Sequence, residues 1–166
     1  HGVHRRQRQM CIRDRLYAHL YNSPVGDISL IKDEMDLIGL SFSNQILNKI
    51  EAKIDINLFK IIIDQLNEYF YEGRKNFTIQ YRLPFTGFRS AVFKEMIKIP
   101  YGECVSYSYL AKKVGNPNAY RAVGTSCGKN PLPIVVPCHR VVSKSGLGGF
   151  TGGLDIKKFL LELESN

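Results

Sequence analysis

The sequence predicts a two-domain chain of α/β plus α class: a small N-terminal α/β unit on a three-stranded antiparallel sheet, then a mostly helical C-terminal unit with a helix-turn-helix. Three observations predict it. Short alternating apolar segments run from Leu16 to Phe42. One amphipathic helix pattern follows and stops at Gly73. Beyond residue 85 helical periodicity recurs in short pieces punctuated by Gly and Pro. At 166 residues, with 44% apolar and 23% charged, the composition is that of a globular protein.

The strands are expected at Leu16–Tyr21, Asp27–Lys32 and Leu37–Phe42, the first two joined by the turn residues Asn22-Ser23-Pro24-Val25-Gly26. Asn57 is the expected cap of a helix through about Glu72, because Leu58, Ile61, Ile62, Leu66, Tyr69 and Phe70 share one face. The polar stretch Arg74–Pro84 leads into the second unit, so the expected domains are 16–77 and 85–166, with a linker at 78–84. Thr86 is the expected cap of a helix carrying Phe88, Val92, Phe93, Met96 and Ile97 and ending at Pro100-Tyr101-Gly102. From Val105 to Gly115 come a Ser cap, a helix of two to three turns and a Gly stop. After Asn116-Pro117-Asn118 a second helix runs from Ala119 to about Cys127, completing the helix-turn-helix pattern. Two packed helices with a short turn equally suit an ordinary bundle that binds no DNA. A last helix, Leu154–Glu164, is expected to bury Ile156, Phe159, Leu160 and Leu163.

Charge points to a partner bearing phosphate. The chain holds 23 Lys and Arg against 15 Asp and Glu, a net charge of +8. Half of it lies in residues 1–15, where Arg5, Arg6, Arg8, Arg13 and Arg15 face one acid, Asp14. That segment has no apolar period and reads as a non-native or disordered tail, with a basic arm gripping DNA as the functional alternative. No apolar run approaches the ~20 residues of a spanning helix and no secretory signal is visible, so the expectation is a soluble, cytoplasmic protein. Cys11, Cys104, Cys127 and Cys138 form no Cys-x-x-Cys pair, which argues against a disulfide framework or structural zinc. Cys104 and Cys127 read as small apolar residues. Around Cys138 the pattern differs: the β-prone run Ile134-Val135-Val136 halts at Pro137, and His139 and Arg140 follow the thiol. Neighbouring cations favour a nucleophilic thiolate, while a structural cysteine in a core strand is the plainer reading of the same residues.

Several separated segments, in order, resemble the O6-alkylguanine-DNA alkyltransferases, the methylated-DNA–protein-cysteine methyltransferases. They are Ile99-Pro100-Tyr101-Gly102-Glu103, Ser106-Tyr107, Arg121-Ala122-Val123-Gly124, Asn130-Pro131, Pro137-Cys138-His139-Arg140-Val141 and Gly152-Gly153-Leu154. The resemblance covers about Phe85 to Glu164; residues 16–75 fit the family's N-terminal, ribonuclease-H-like α/β domain in pattern. It implies a C-terminal winged-helix/helix-turn-helix-like catalytic domain and direct-reversal DNA repair. In that repair Cys138 takes a methyl or alkyl group from O6-alkylguanine in double-stranded DNA, once and irreversibly, without cofactor or metal. O4-alkylthymine is a further substrate to consider, and the protein is expected to act as a monomer with no membrane partner.

Residue by residue, the resemblance implies that His139 acts through a bound water as the base for Cys138 and that Glu164 orients His139. Tyr107 would serve the base with its hydroxyl, Val141 with its carbonyl and Thr151 with its backbone N–H. Arg140 is carried over with the substrate-binding residues. Reaching a stacked base requires extrusion, with Ala119–Cys127 as recognition helix, its small residues close to the minor groove and Arg121 filling the gap left by the flipped nucleotide. Asn130 would tie the helix-turn-helix to the active-site strand. Lys112, Lys113 and Lys129 suit phosphate contacts, and surface solubility explains any one of them equally well. The chain departs from the family where Phe150 replaces the usual Tyr: stacking survives that change, and a phenolic hydrogen bond does not. The loop Gly146-Leu147-Gly148-Gly149-Phe150 lacks a Gly-Lys-Ser/Thr ending, so it reads as a substrate loop rather than a phosphate loop. The presence of Cys138 argues against the family's non-catalytic branch, and the lack of a cysteine cluster before residue 85 against its zinc-bearing sensor branch. The competing functions are a non-catalytic binder of alkylated DNA and a cysteine hydrolase using Cys138 and His139.

Overall fold

Strand β1 (Tyr17–Ser23) pairs antiparallel with β2 (Gly26–Lys32), from Tyr17 opposite Lys32 to Ser23 opposite Gly26. The turn leaves only Pro24 and Val25 unpaired, and Gly26 takes the positive φ of +101° that such a reversal needs. β2 is the central strand, paired on its other edge with β3 (Leu37–Ser41) through a register shift at Ile31/Lys32. The structure, a computed structural model, describes residues 15–166; of the expected tail only Arg15 lies among them.

Helix α1 (Lys60–Glu72) buries Ile62, Leu66, Tyr69 and Phe70, and Tyr21 of β1 donates its hydroxyl proton to Asn67 at 2.8 Å. The helix therefore covers one face of the sheet. Its start differs from the expectation. Asp55, not Asn57, accepts the capping bond, from the Asn57 N–H at 3.1 Å, and a 3₁₀ turn (Ile56–Phe59) precedes the α-helix. Gly73 ends α1 in the left-handed conformation, as its position suggests.

The segment expected as a linker is docked at its start. Leu37 and Arg82 exchange backbone hydrogen bonds with Gln80 and Leu37, and the Gln65 side chain pairs in both directions with Thr78. The division between two compact units falls between Arg82 and Leu83.

In the second unit α2 (Gly87–Ile97) buries Val92, Phe93 and Met96, with Thr86 at the cap position but making no side-chain bond there. A two-residue strand, β4 (Val105–Ser106), leads into α3 (Tyr107–Lys113), whose N-terminus is capped by Ser106 Oγ accepting from the Tyr109 N–H at 3.0 Å. A turn through Gly115 then delivers α4 (Tyr120–Gly128), and Leu110, Ala111 and Val123 fill the space around the pair. The chain ends in α5 (Leu154–Ser165).

The region around Cys138 departs from the strand expected there. Ile134 is 1% exposed and adopts φ +75°, a conformation a β-branched residue occupies only when burial holds it, so 133–136 forms a turn rather than a core strand. Cys138–Arg140 is a 3₁₀ turn, and only Val141–Val142 is strand, β5. β5 runs parallel to β4, pairing Val105 with Val141 and Ser106 with Val142. Among the described residues no helix is long and apolar enough to cross a membrane.

Candidate active site

The β4–β5 pairing sets the site, because β4 runs directly into Tyr107 and β5 follows directly from Cys138–Arg140. A pocket of about 550 Å³ lies there, lined by Tyr107, Tyr120, Arg121, Gly124, Cys127 and Gly128 from the helix-turn-helix, by Cys138, and by Gly149, Phe150 and Thr151. Cys138 is buried at 5% exposure. Burial pushes its thiol up from the ordinary value; a hydrogen bond from the Asn130 amide, the charge of Lys157 and the backbone N–H groups of the turn act in the opposite direction. Asn130 also donates to the Val136 carbonyl at 2.8 Å and accepts from the Leu132 N–H at 3.0 Å. Its backbone N–H reaches the Cys127 carbonyl at 3.2 Å, so one residue joins the end of α4 to the cysteine turn.

His139 is fully buried, with Nε2 2.7 Å from Glu164 Oε1. Burial would raise the Glu164 carboxyl, but hydrogen bonds from His139 and Arg140 hold it at about 2. An ionised Glu164 only accepts, so Nε2 carries the imidazole proton and Nδ1 is left as a base. Nδ1 has no hydrogen-bond partner among the described residues. Burial also pushes the imidazole down from its usual value, against the pull of Glu164, so His139 is neutral at pH 7 and able to take a proton.

Arg140 does not line the pocket. Its Nε and Nη2 donate to the two Glu164 oxygens, each at 2.9 Å, and Nη1 donates to the Ile99 carbonyl at 2.8 Å. Its resemblance-based place among substrate-binding residues therefore gives way to a buried anchor for Glu164. Glu164 Oε2 also accepts from the Gly102 N–H at 3.3 Å. Gly102 has φ +80°, and a Cβ there would come 3.0 Å from the Glu164 carbonyl, which explains a glycine at this approach.

Tyr107 lines the same pocket; burial pushes its hydroxyl up from the ordinary value, against a hydrogen bond from the Gly149 backbone N–H. A Cβ on Gly148, at φ +73°, would lie 2.6 Å from that hydroxyl, so the loop reaches Tyr107 only as glycine. Phe150 and Thr151 lie on the pocket wall, with Thr151 Oγ1 3.3 Å from the Gly128 carbonyl. Arg121 is exposed at the pocket mouth, its guanidinium 5.9 Å from the Tyr120 ring centroid. Lys112, Lys113 and Lys129 are exposed on the helix-turn-helix.

Two features escape the sequence reading. Cys127 lines the same pocket as Cys138. Lys157 is wholly buried in α5, donating to the Val141 carbonyl at 2.7 Å and the Gly149 carbonyl at 3.0 Å. Its only sequence signal is its place on the face shared by Leu160 and Glu164, also buried. Ile156, Phe159 and Leu163, expected in the core, are only half-buried, because that face turns the Lys157 and Glu164 side chains inward instead.

A helix-turn-helix unit with a cysteine on the wall of a 550 Å³ pocket and, next to it in sequence, a histidine paired with a buried carboxylate defines the class. Residues 87–166 match the family model for the 6-O-methylguanine DNA methyltransferase DNA binding domain, and residues 16–83 the model for its ribonuclease-like domain. The chain belongs to the 6-O-methylguanine DNA methyltransferase family. The methylated-DNA–protein-cysteine methyltransferase of Methanosarcina mazei is 40% identical over 158 residues, covering 91% of this chain and 98% of its own. The crystal structure of Mycobacterium tuberculosis O6-methylguanine methyltransferase superposes with a TM-score of 0.82 at 36% identity, covering 90% of this chain and 93% of that one. The same score, at 38% identity and 90% and 92% coverage, holds for Mycobacterium tuberculosis OGT in complex with DNA.

Proposed function

We propose that the chain is a DNA-repair methyltransferase that moves a methyl or larger alkyl group from O6-alkylguanine in double-stranded DNA onto Cys138, once per molecule. The observation carrying this reading is the Cys138 thiol at the wall of the 550 Å³ pocket, backed by the buried His139–Glu164 pair. The names of the relatives and the DNA-bound neighbour support it. Transfer proceeds as a displacement at carbon: Nδ1 of His139, through a water, takes the thiol proton, and Sγ forms a bond to the alkyl carbon as the carbon–O6 bond breaks. The electron pair leaves on O6, and Tyr107 donates a hydrogen bond to the departing base. The product is a neutral thioether, which offers no route back to a thiol.

To reach O6 the nucleotide must leave the stack. α4 lies in the minor groove and Arg121 occupies the vacated position, while Lys112, Lys113 and Lys129 meet phosphates. The Thr151 N–H and the Val141 carbonyl address the base edge, and Phe150 stacks on it. O4-alkylthymine presents the same oxygen-linked alkyl carbon and is the second substrate of this reading.

Incubation with an O6-methylguanine oligonucleotide tests it. One methyl per protein on the Cys138 peptide is expected by mass spectrometry, and none in Cys138→Ser. An unmodified Cys138 in folded protein refutes transfer; reversible lesion binding unchanged by Cys138→Ser identifies a non-catalytic binder, and turnover of an acyl substrate a hydrolase.

A further inference from the structure

Lys157 is the one wholly buried ammonium among the described residues, and the site as read above gives it no task. A buried lysine needs acceptors, and it has two backbone carbonyls: Val141, in the strand that follows the cysteine turn, and Gly149, in the loop that lines the pocket. α5 thus reaches through one side chain to both segments that frame the base. β5 is only two residues long and the loop around Gly149 carries no regular structure, so the Lys157 ammonium is a tie between two short segments.

The charges around this ammonium form a small, nearly closed set. Cys104, Cys127 and Cys138 each interact with it electrostatically, as does His139. Behind them Arg140 and Glu164 neutralise one another at 2.9 Å. With Cys138 as a thiol and His139 neutral, Lys157 leaves the cluster one positive charge in excess. Ionising Cys138 cancels that excess: burial raises both Cys138 and Cys127, but the Asn130 amide bonds to Cys138 and favours its thiolate, and Cys104 lies on the exposed side.

We infer that Lys157 is a positioning residue for alkyl transfer, bracing the substrate loop against β5 through the Gly149 and Val141 carbonyls and supplying the positive charge that Cys138 requires as a thiolate. This rests on the reading of Cys138 as the acceptor, but it is testable apart from it. In Lys157→Met an unbranched side chain one atom shorter stays in place, and both hydrogen bonds and the charge are lost.

Alkylation of the Cys138 peptide by iodoacetamide, followed by mass spectrometry across pH, reads the thiolate without DNA. The midpoint is expected to rise by a pH unit or more, about a tenfold slowing at fixed pH below it. Methyl transfer from O6-methylguanine DNA is expected to fall by a larger factor, because the loop is also released, while affinity for unmodified DNA stays unchanged. Folded Lys157→Met with the wild-type midpoint and transfer rate overturns the inference. If wild-type protein transfers no methyl group, the function proposed above fails, yet the iodoacetamide profile still decides the role of Lys157. Should Lys157→Met not fold, ¹⁵N spectra of the wild-type lysine ammonium groups before and after methylation of Cys138 with methyl iodide decide it. A protected ammonium signal that shifts on methylation is expected, and one that does not shift overturns the inference.

Discussion

Replacing Glu164 by Gln tests the wiring behind Cys138 at its most connected point. The carboxylate accepts four hydrogen bonds: Oε1 from His139 Nε2 and Arg140 Nη2, and Oε2 from Arg140 Nε and the Gly102 N–H. A glutamine of the same shape has one carbonyl oxygen and one NH₂, so in either orientation its NH₂ confronts two donors. Arg140 is 6% exposed and loses the carboxylate it pairs with. Breaking a buried pair by removing one partner costs about 3–5 kcal/mol. For a protein of this size that corresponds to a fall in Tm of roughly 6–20 °C, read by a thermal melt. Methyl transfer is expected to slow by about 100-fold or more in the fraction that stays folded, because His139 loses the anion that holds its tautomer and stabilises it as it charges. A Tm within about 2 °C of wild type together with an unchanged rate would refute the claim that Glu164 organises the site. Acid probes the same group without mutation. Its folded pKa, about 2, lies below the ordinary 4.5, so its contribution is complete above the unfolded value and is lost as pH falls from about 4.5 toward 2. Glu164→Gln should flatten that part of the stability–pH curve.

Two further predictions follow from other parts of the chain. Gly148→Ala combines a left-handed backbone, worth about 1–3 kcal/mol of strain, with a methyl 2.6 Å from the Tyr107 hydroxyl, so Tyr107 should swing aside and transfer should slow while DNA affinity holds, measured by single-turnover kinetics and a binding titration. Deleting residues 1–15 removes half of the net charge and should flatten the salt dependence of DNA binding, yet leave methylation of Cys138 at its wild-type rate.

The electrostatics of the site explain how a deeply buried thiol can still react. Burial works against ionisation of Cys138, so the resting thiol keeps its proton and is protected from casual oxidation. The Asn130 amide and the charge of Lys157 work the other way, and in the proposed mechanism neutral His139 takes the thiol proton. His139 is held by α5 and Lys157 by β5 and the pocket loop, while Asn130 is held by the 132–136 turn that directly follows it.

Much of this was legible in the residues alone. Period-2 alternation placed three strands, and glycine stops placed the ends of α1 and α3, because local backbone preference needs no tertiary partner. The ordered motifs from Ile99 to Leu154 pointed to one family, and to Cys138, His139, Tyr107 and Glu164 as its chemical residues. Tertiary structure decided what distance in sequence hides. It turned the apolar run at 134–136 into a strained turn, since the burial of Ile134 outweighs its preference for an extended backbone. It withdrew Arg140 from the pocket to Glu164, 24 residues away, and turned Lys157 inward, because a buried charge goes where a counter-charge or carbonyls await it. Residue type and period specify local geometry; which buried polar group meets which depends on the packing of elements far apart in the chain, and that packing alone assembled the site.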